Sequence, residues 1–157
     1  SAYDPYISDS VFEQYGVSRV TSLIDLFKES KVISVHLPSK ARLLIGEEEF
    51  AAMPDGAVFI NSSNGLIFDP AALLTHVKKG RIFAAIDNID SIINLSDVNV
   101  VPEMVGHPNL ISTPHVAGPT IDQRYRLGLT IAEEFERFFN NQPLLFEINE
   151  TNIAHLA

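Results

Sequence analysis

Residues 57–80 read AVFINSSNGLIFDPAALLTHVKKG, and the order of signals in this stretch decides the fold class. Ala57-Val58-Phe59-Ile60 is an apolar run of strand length that stops at the polar Asn61-Ser62-Ser63. A fully punctuated helix follows. Asp69 is a good N-cap, and Pro70 occupies the first turn, where a missing N–H costs nothing. Lys78 and Lys79 suit the negative C-terminal end, and Gly80 supplies a left-handed stop. A buried strand, a polar turn and a helix over 70–79 make half of a βαβ unit.

The same alternation extends in both directions. Val32 to Leu37 is a second apolar run, stopped by Pro38; Ile82 to Ile86 is a third, ending at Asp87; Leu110-Ile111-Ser112 is a short fourth. Apolar runs of this kind, alternating with helical segments, indicate a parallel sheet covered by helices, so the expected class is α/β. Ser22 to Lys28 reads as a short helix. Another starts at Glu47-Glu48-Glu49, whose charges complement its positive end, and stops at Pro54. Pro119 opens the longest helix, expected to reach about Asn140. It carries an apolar stripe of Ile121, Tyr125, Ala132, Phe135 and Phe139, with Glu133 and Arg137 paired outside. The loop from Asp90 to Pro108 is the candidate linker, and the tail after Pro143 has weak periodicity and is expected to need a partner for order.

With 157 residues and 46% apolar content, the chain can build one buried core. Twenty acidic against eleven basic residues give a net charge of −9 with no basic cluster, which argues against nucleic acid or an anionic membrane surface as partner. Cysteine is absent, which removes disulfides, thiolate nucleophiles and cysteine-bound zinc, and no metal site is expected. The apolar runs are too short to span a bilayer, and cytoplasm is the expected compartment.

In an open parallel sheet ligands bind beyond the carboxyl ends of the strands. The residues there are Asp4, His36, Asn61 to Asn64, Asp87 and His115. Of the five histidines, His76, His107 and His155 read as surface residues. His115 differs: TPHVAG at 113–118 holds an imidazole between a strand and the start of a helix, a rigid place for a side chain that titrates near neutral pH.

Five blocks, AYDPY at 2–6, SVHLP at 34–38, FINSSNGLIFD at 59–69, AAIDNID at 84–90 and TPHVAG at 113–118, together resemble the D-isomer-specific 2-hydroxyacid dehydrogenases, in that family's order and near its spacing. The resemblance implies an NAD-dependent oxidoreductase acting on a 2-hydroxy acid/2-keto acid pair. It implies a histidine that exchanges a proton with the substrate oxygen, a carboxylate that orients it and an arginine that grips the substrate carboxylate, while nicotinamide exchanges hydride. These positions fall on His115, on Asp90 in place of the usual glutamate, and on Asn64 in place of the arginine. Asp4, His36, Leu37, Pro38, Ser62, Ser63, Asp87 and Gly118 fall on cofactor-facing positions, and Asp4 favours NAD over NADP because a carboxylate repels a 2′-phosphate.

No G-x-G-x-x-G occurs in the sequence. The expectation is therefore an incomplete Rossmann-like parallel sheet lacking its first βαβ unit, with helices on both faces. Residues 1–118 form the partial dinucleotide-binding domain, 119–142 a long helix packing on it, and 143–157 a tail. Asn64, Asp90 and His115 are expected to converge at the strand ends. A fragment inactive on its own and binding NAD weakly is one reading; the alternative is a non-catalytic remnant serving as a dimerisation or binding module. Self-association is expected in either case.

Overall fold

The computed structural model describes residues 1–38, 41–89, 92 and 100–150. The chain forms two compact units, Ser1–Val116 and Ala117–Ala157.

The first unit is built on four strands: β1 (Val32–Val35), β2 (Ala57–Asn61), β3 (Ile82–Ile86) and β4 (Leu110–Ser112). They pair in the order β1-β2-β3-β4, all parallel, with Val35 beside Asn61, Asn61 beside Ile86 and Ile86 beside Ser112. All four chains therefore leave the sheet at one edge. Helices α1 (Asp9–Gln14), α2 (Leu23–Glu29), α3 (Glu47–Ala52), α4 (Pro70–Lys78) and α5 (Val100–Met104) complete the unit.

The local chemistry explains the helix starts. The Ser22 hydroxyl accepts from the Asp25 N–H, Glu49 accepts from the Gly46 N–H, and the Asp69 carboxylate accepts from the Ala71 and Ala72 N–H groups. Gly80, with φ +69°, terminates α4 as expected.

Helices α2, α3, α4 and α5 pack in a row, and α4 lies on β3. Between row and sheet lie Phe27, Phe50, Phe59 and Phe68, all fully buried, with Phe50 and Phe59 edge-to-face at 5.1 Å. Burial alternates along each strand. Ile33, Phe59, Ala84 and Ile86 point into this core, while Val32, Phe83 and Ile111 stand exposed on the other face.

Several expectations are corrected. The segment taken as a linker contains α5, whose Met104 is fully buried, as is Ile92. β1 ends at Val35, before His36 and Leu37. Asp4 follows an isolated parallel bridge between Ala2 and Arg19, not a strand of the sheet. His76 is buried, not solvated: its Nε2 lies 2.9 Å from Glu47 Oε1, and its Nδ1 accepts from Arg81 Nε at 3.2 Å. Arg81 reaches further, donating to the Phe50, Ala51 and Met53 carbonyls at the end of α3 and to Asp55. A polar ring in an otherwise apolar helix face was therefore a buried clamp between α3, α4 and β3.

The second unit holds α6 (Ile121–Phe139). Thr120 and Gln123 form a reciprocal capping box at its start, and none of its residues is buried. The ion pair on its surface joins Arg137 to Glu134, not to Glu133. After it, Leu145 and Phe146 are tied to the helix, because the Glu134 carboxylate accepts from their N–H groups.

Candidate cofactor and substrate edge

His36, Asn61 to Asn64, Asp87 and His115 lie at the carboxyl edge of the sheet. At the end of β1 His36 is exposed, its Nε2 2.9 Å from Ser34 Oγ. The Leu37 N–H approaches Ser63 Oγ at 3.5 Å, and the same hydroxyl donates to the Val35 carbonyl or to Asn61 Oδ1. Ser63 thus ties the chain after β1 to the turn after β2. Ser62 beside it is exposed.

Asn64 caps a single 3₁₀ turn over Gly65–Ile67, its Oδ1 accepting from the Leu66 N–H at 2.8 Å. Its own carbonyl accepts from Asn61 Nδ2. The side chain therefore serves its own turn. It is uncharged and cannot present the two-pronged donor set of a guanidinium to a carboxylate.

Asp87 is the centre of this edge. Its carboxylate is buried and accepts from Thr113 Oγ1 at 2.5 Å and from the Val116 N–H at 2.9 Å. Its carbonyl accepts from the His115 N–H at 2.6 Å, and its N–H donates to Asn61 O. One residue thereby fixes the loop 113–116 relative to β2 and β3. His115 sits on that loop, exposed, with φ +57°. Left-handed backbone is sparsely populated by non-glycine residues and persists only where the surroundings hold it, as Asp87 does here.

Asn88 follows Asp87, bridges to Pro114, and donates through Nδ2 to the Ser63 carbonyl. That contact fixes the orientation of its amide. Its Oδ1 is then left fully buried with no partner among the described residues, an unusual cost for a native side chain. Among the candidate site residues, His36, Ser62, Ser63, Asn64, Asp87 and His115 lie at this edge. Gly118 falls in the second unit, Asp4 forms a turn by accepting from the Tyr6 and Ile7 N–H groups, and Asp90 lies outside the described residues. Thr113 and Asn88 were not singled out as site residues. For Thr113 the available signal was a hydroxyl one strand away from Asp87, where only a tertiary contact gives it a role.

The donor set can be matched against a nicotinamide dinucleotide. A buried carboxylate, an unsatisfied amide oxygen, two serine hydroxyls and an imidazole suit the amide and ribose hydroxyls of the nicotinamide end. Among the described residues, no group of three or more His, Cys, Asp or Glu side chains is placed to hold a metal ion, and no helix is long and apolar enough to cross a membrane.

A parallel sheet with its polar residues at the carboxyl edge defines a Rossmann-like nucleotide-binding domain. Residues 1–117 match the family described as D-isomer specific 2-hydroxyacid dehydrogenase, NAD binding domain, and the chain belongs to that family. It is 32% identical over 154 residues to D-3-phosphoglycerate dehydrogenase of Archaeoglobus fulgidus, covering 97% of this chain and 28% of that protein. In structure it resembles the D-mandelate dehydrogenase of Rhodotorula graminis, with a TM-score of 0.78 at 25% identity over 94% of this chain and 43% of that one. The D-lactate dehydrogenase of Lactobacillus jensenii, solved with NAD+, gives a TM-score of 0.76 at 25% identity over 94% and 47%. The chain thus spans about a quarter of the archaeal relative's length and under half of these two solved chains.

Proposed function

We propose that the protein takes part in NAD-dependent interconversion of a 2-hydroxy acid and its 2-keto acid, with the carboxyl edge as its cleft. The observation that carries this reading is the Asp87 clamp, which holds the exposed His115 in a strained backbone conformation beside the strand ends. NAD, when bound, supplies the hydride acceptor. His115 takes the proton from the substrate hydroxyl or returns it to the keto oxygen, and Asp87 positions His115 through the backbone. Ser62, Ser63, His36, Leu37 and Pro38 line the cofactor side, with Asp87 and Asn88 offering acceptors to its amide. Asp90 is the proposed partner of His115, Gly118 completes the cofactor positions, and Asp4 favours NAD over NADP.

These 157 residues contain no glycine-rich phosphate turn, and a net charge of −9 opposes an anionic cofactor. On their own they are expected to bind NADH weakly and to turn over little. Calorimetric titration with NADH tests this; a dissociation constant tighter than about 10 μM would contradict it. Oxidation of NADH in the presence of a series of 2-keto acids tests the activity. Its loss in His115→Gln, with folding unchanged, is the expected outcome.

A second reading is favoured by Asn64. Its side chain is spent on its own turn, and a site without a carboxylate grip suits a non-catalytic module that binds or dimerises. That reading predicts NADH binding without keto-acid turnover in any arrangement of the chain. In both readings the chain associates with a second copy through exposed apolar side chains and works in the cytoplasm.

A further inference from the structure

We propose that Arg42 grips the carboxylate of the 2-keto acid at this edge, supplying the guanidinium that Asn64 does not. The proposal deepens the 2-hydroxy-acid reading above and rests on it. Residues 43–45 run along the sheet edge and pair with the turn that Asn64 caps. Leu43 N–H donates to Leu66 O at 2.8 Å, Leu44 N–H to Ile67 O at 2.8 Å, and Ile45 bridges Phe68 in parallel. With Ile45 beside Phe68 and Leu43 beside Leu66, the same register sets Arg42 beside Gly65, the residue next to Asn64.

Three observations point to a role beyond chain reversal. Leu43 adopts φ +45°, a conformation costly for a branched residue, although it is exposed and gains little from burial. A strained residue held by its own strand-like hydrogen bond and by that of Leu44 makes a rigid mount for Arg42. Arg42 itself is exposed, and its guanidinium has no hydrogen bond or ion pair among the described residues. The other described side chains at the edge, His36, Asn61, Ser62, Ser63, Asn64, Asp87 and His115, include no permanent cation. A 2-keto acid is an anion approaching a chain of net charge −9, so a local guanidinium with a paired-donor face is the group the edge lacks and Arg42 provides.

Oxamate, an unreactive 2-keto acid analogue, is the probe, titrated into the chain with NADH present while amide NMR spectra are followed. Arg42→Ala is expected to weaken oxamate at least tenfold and to leave NADH affinity within twofold. Arg42→Lys should recover part of the loss, and adding Asn64→Arg to Arg42→Ala should recover most of it. Thermal melts establish that each variant folds, as substitution of an exposed residue should allow. Unchanged oxamate binding in Arg42→Ala overturns the proposal and leaves the cofactor edge intact. Equal weakening of NADH and oxamate also overturns it, assigning Arg42 to the cofactor phosphates. If the parent chain shows NADH shifts at the edge but no oxamate shifts, the grip is wrong and the cofactor reading survives; if neither ligand shifts the edge, both fall.

Discussion

Asp87 shows how one side chain can be legible in position and illegible in role. Its place after an apolar run marked it as a strand-end residue, but its work is to hold Thr113, His115 and Val116, residues that only the fold brings to it. Asp87→Ala would leave the Val116 N–H and the Thr113 hydroxyl without their acceptor. The expected cost is about 2–4 kcal/mol, read from urea unfolding, with Thr113→Val costing about 1 kcal/mol. A loss under about 1 kcal/mol for Asp87→Ala would mean that the clamp holds nothing. Leu43 offers the opposite sign. Leu43→Gly relieves left-handed strain of roughly 1–2 kcal/mol and gives back part of it as unfolded-state entropy, so the variant should be neutral or up to about 1 kcal/mol more stable. His76 was misread because an isolated histidine in a helix gives no sign that Glu47 of α3 and Arg81 of the turn before β3 close around it.

At the scale of elements, the strands and the well-punctuated helices were readable because their signals are local. Asp69, Pro70 and Gly80 act within one turn, and α4 falls where they place it. Helix α5 was not readable. Val100 to Met104 is too short to show a period and contains Pro102; it exists because Val100, Val101 and Met104 pack on the core. The aromatic layer is where α2, α3 and the sheet depend on one another. Phe59→Ala, at a site fully buried among Phe27, Phe50 and Phe68, should cost about 3–5 kcal/mol. The end of α3 depends instead on the Arg81 guanidinium. Arg81→Ala should cost about 2–3 kcal/mol through the lost carbonyl contacts. Asp55→Ala should cost under about 1 kcal/mol, because that carboxylate is largely exposed and its ion pair is screened. Equal losses in the two variants would show the ion pair, not the carbonyls, to be the stabilising contact.

For the whole molecule, the apolar surface has a consequence. Val32, Phe83 and Ile111 are exposed on one face of the sheet, and Ile121, Tyr125, Phe135, Phe138 and Phe139 on α6. Apolar surface on this scale favours association, and light scattering should show species above the monomer at high concentration. Phe135→Glu with Phe139→Glu should shift them towards monomer; a clean monomer in the parent chain would count against association. What the sequence revealed at this scale was the parallel sheet, through its alternating apolar runs and helices, and its polar edge, through the residues that follow those runs. It did not reveal how the edge is held, since that lies in contacts such as Asn88 to Ser63 and Asp87 to Val116. The central claim is that this edge is the cofactor cleft, and an amide NMR titration with millimolar NADH tests it even when binding is weak. The account predicts shifts confined to His36 and Leu37, Asn61 to Asn64, Asp87 and Asn88, and Thr113 to Val116. Shifts centred on the opposite end of the strands, at Asp55, Gly56, Gly80 and Arg81, or no shifts at all, would contradict it.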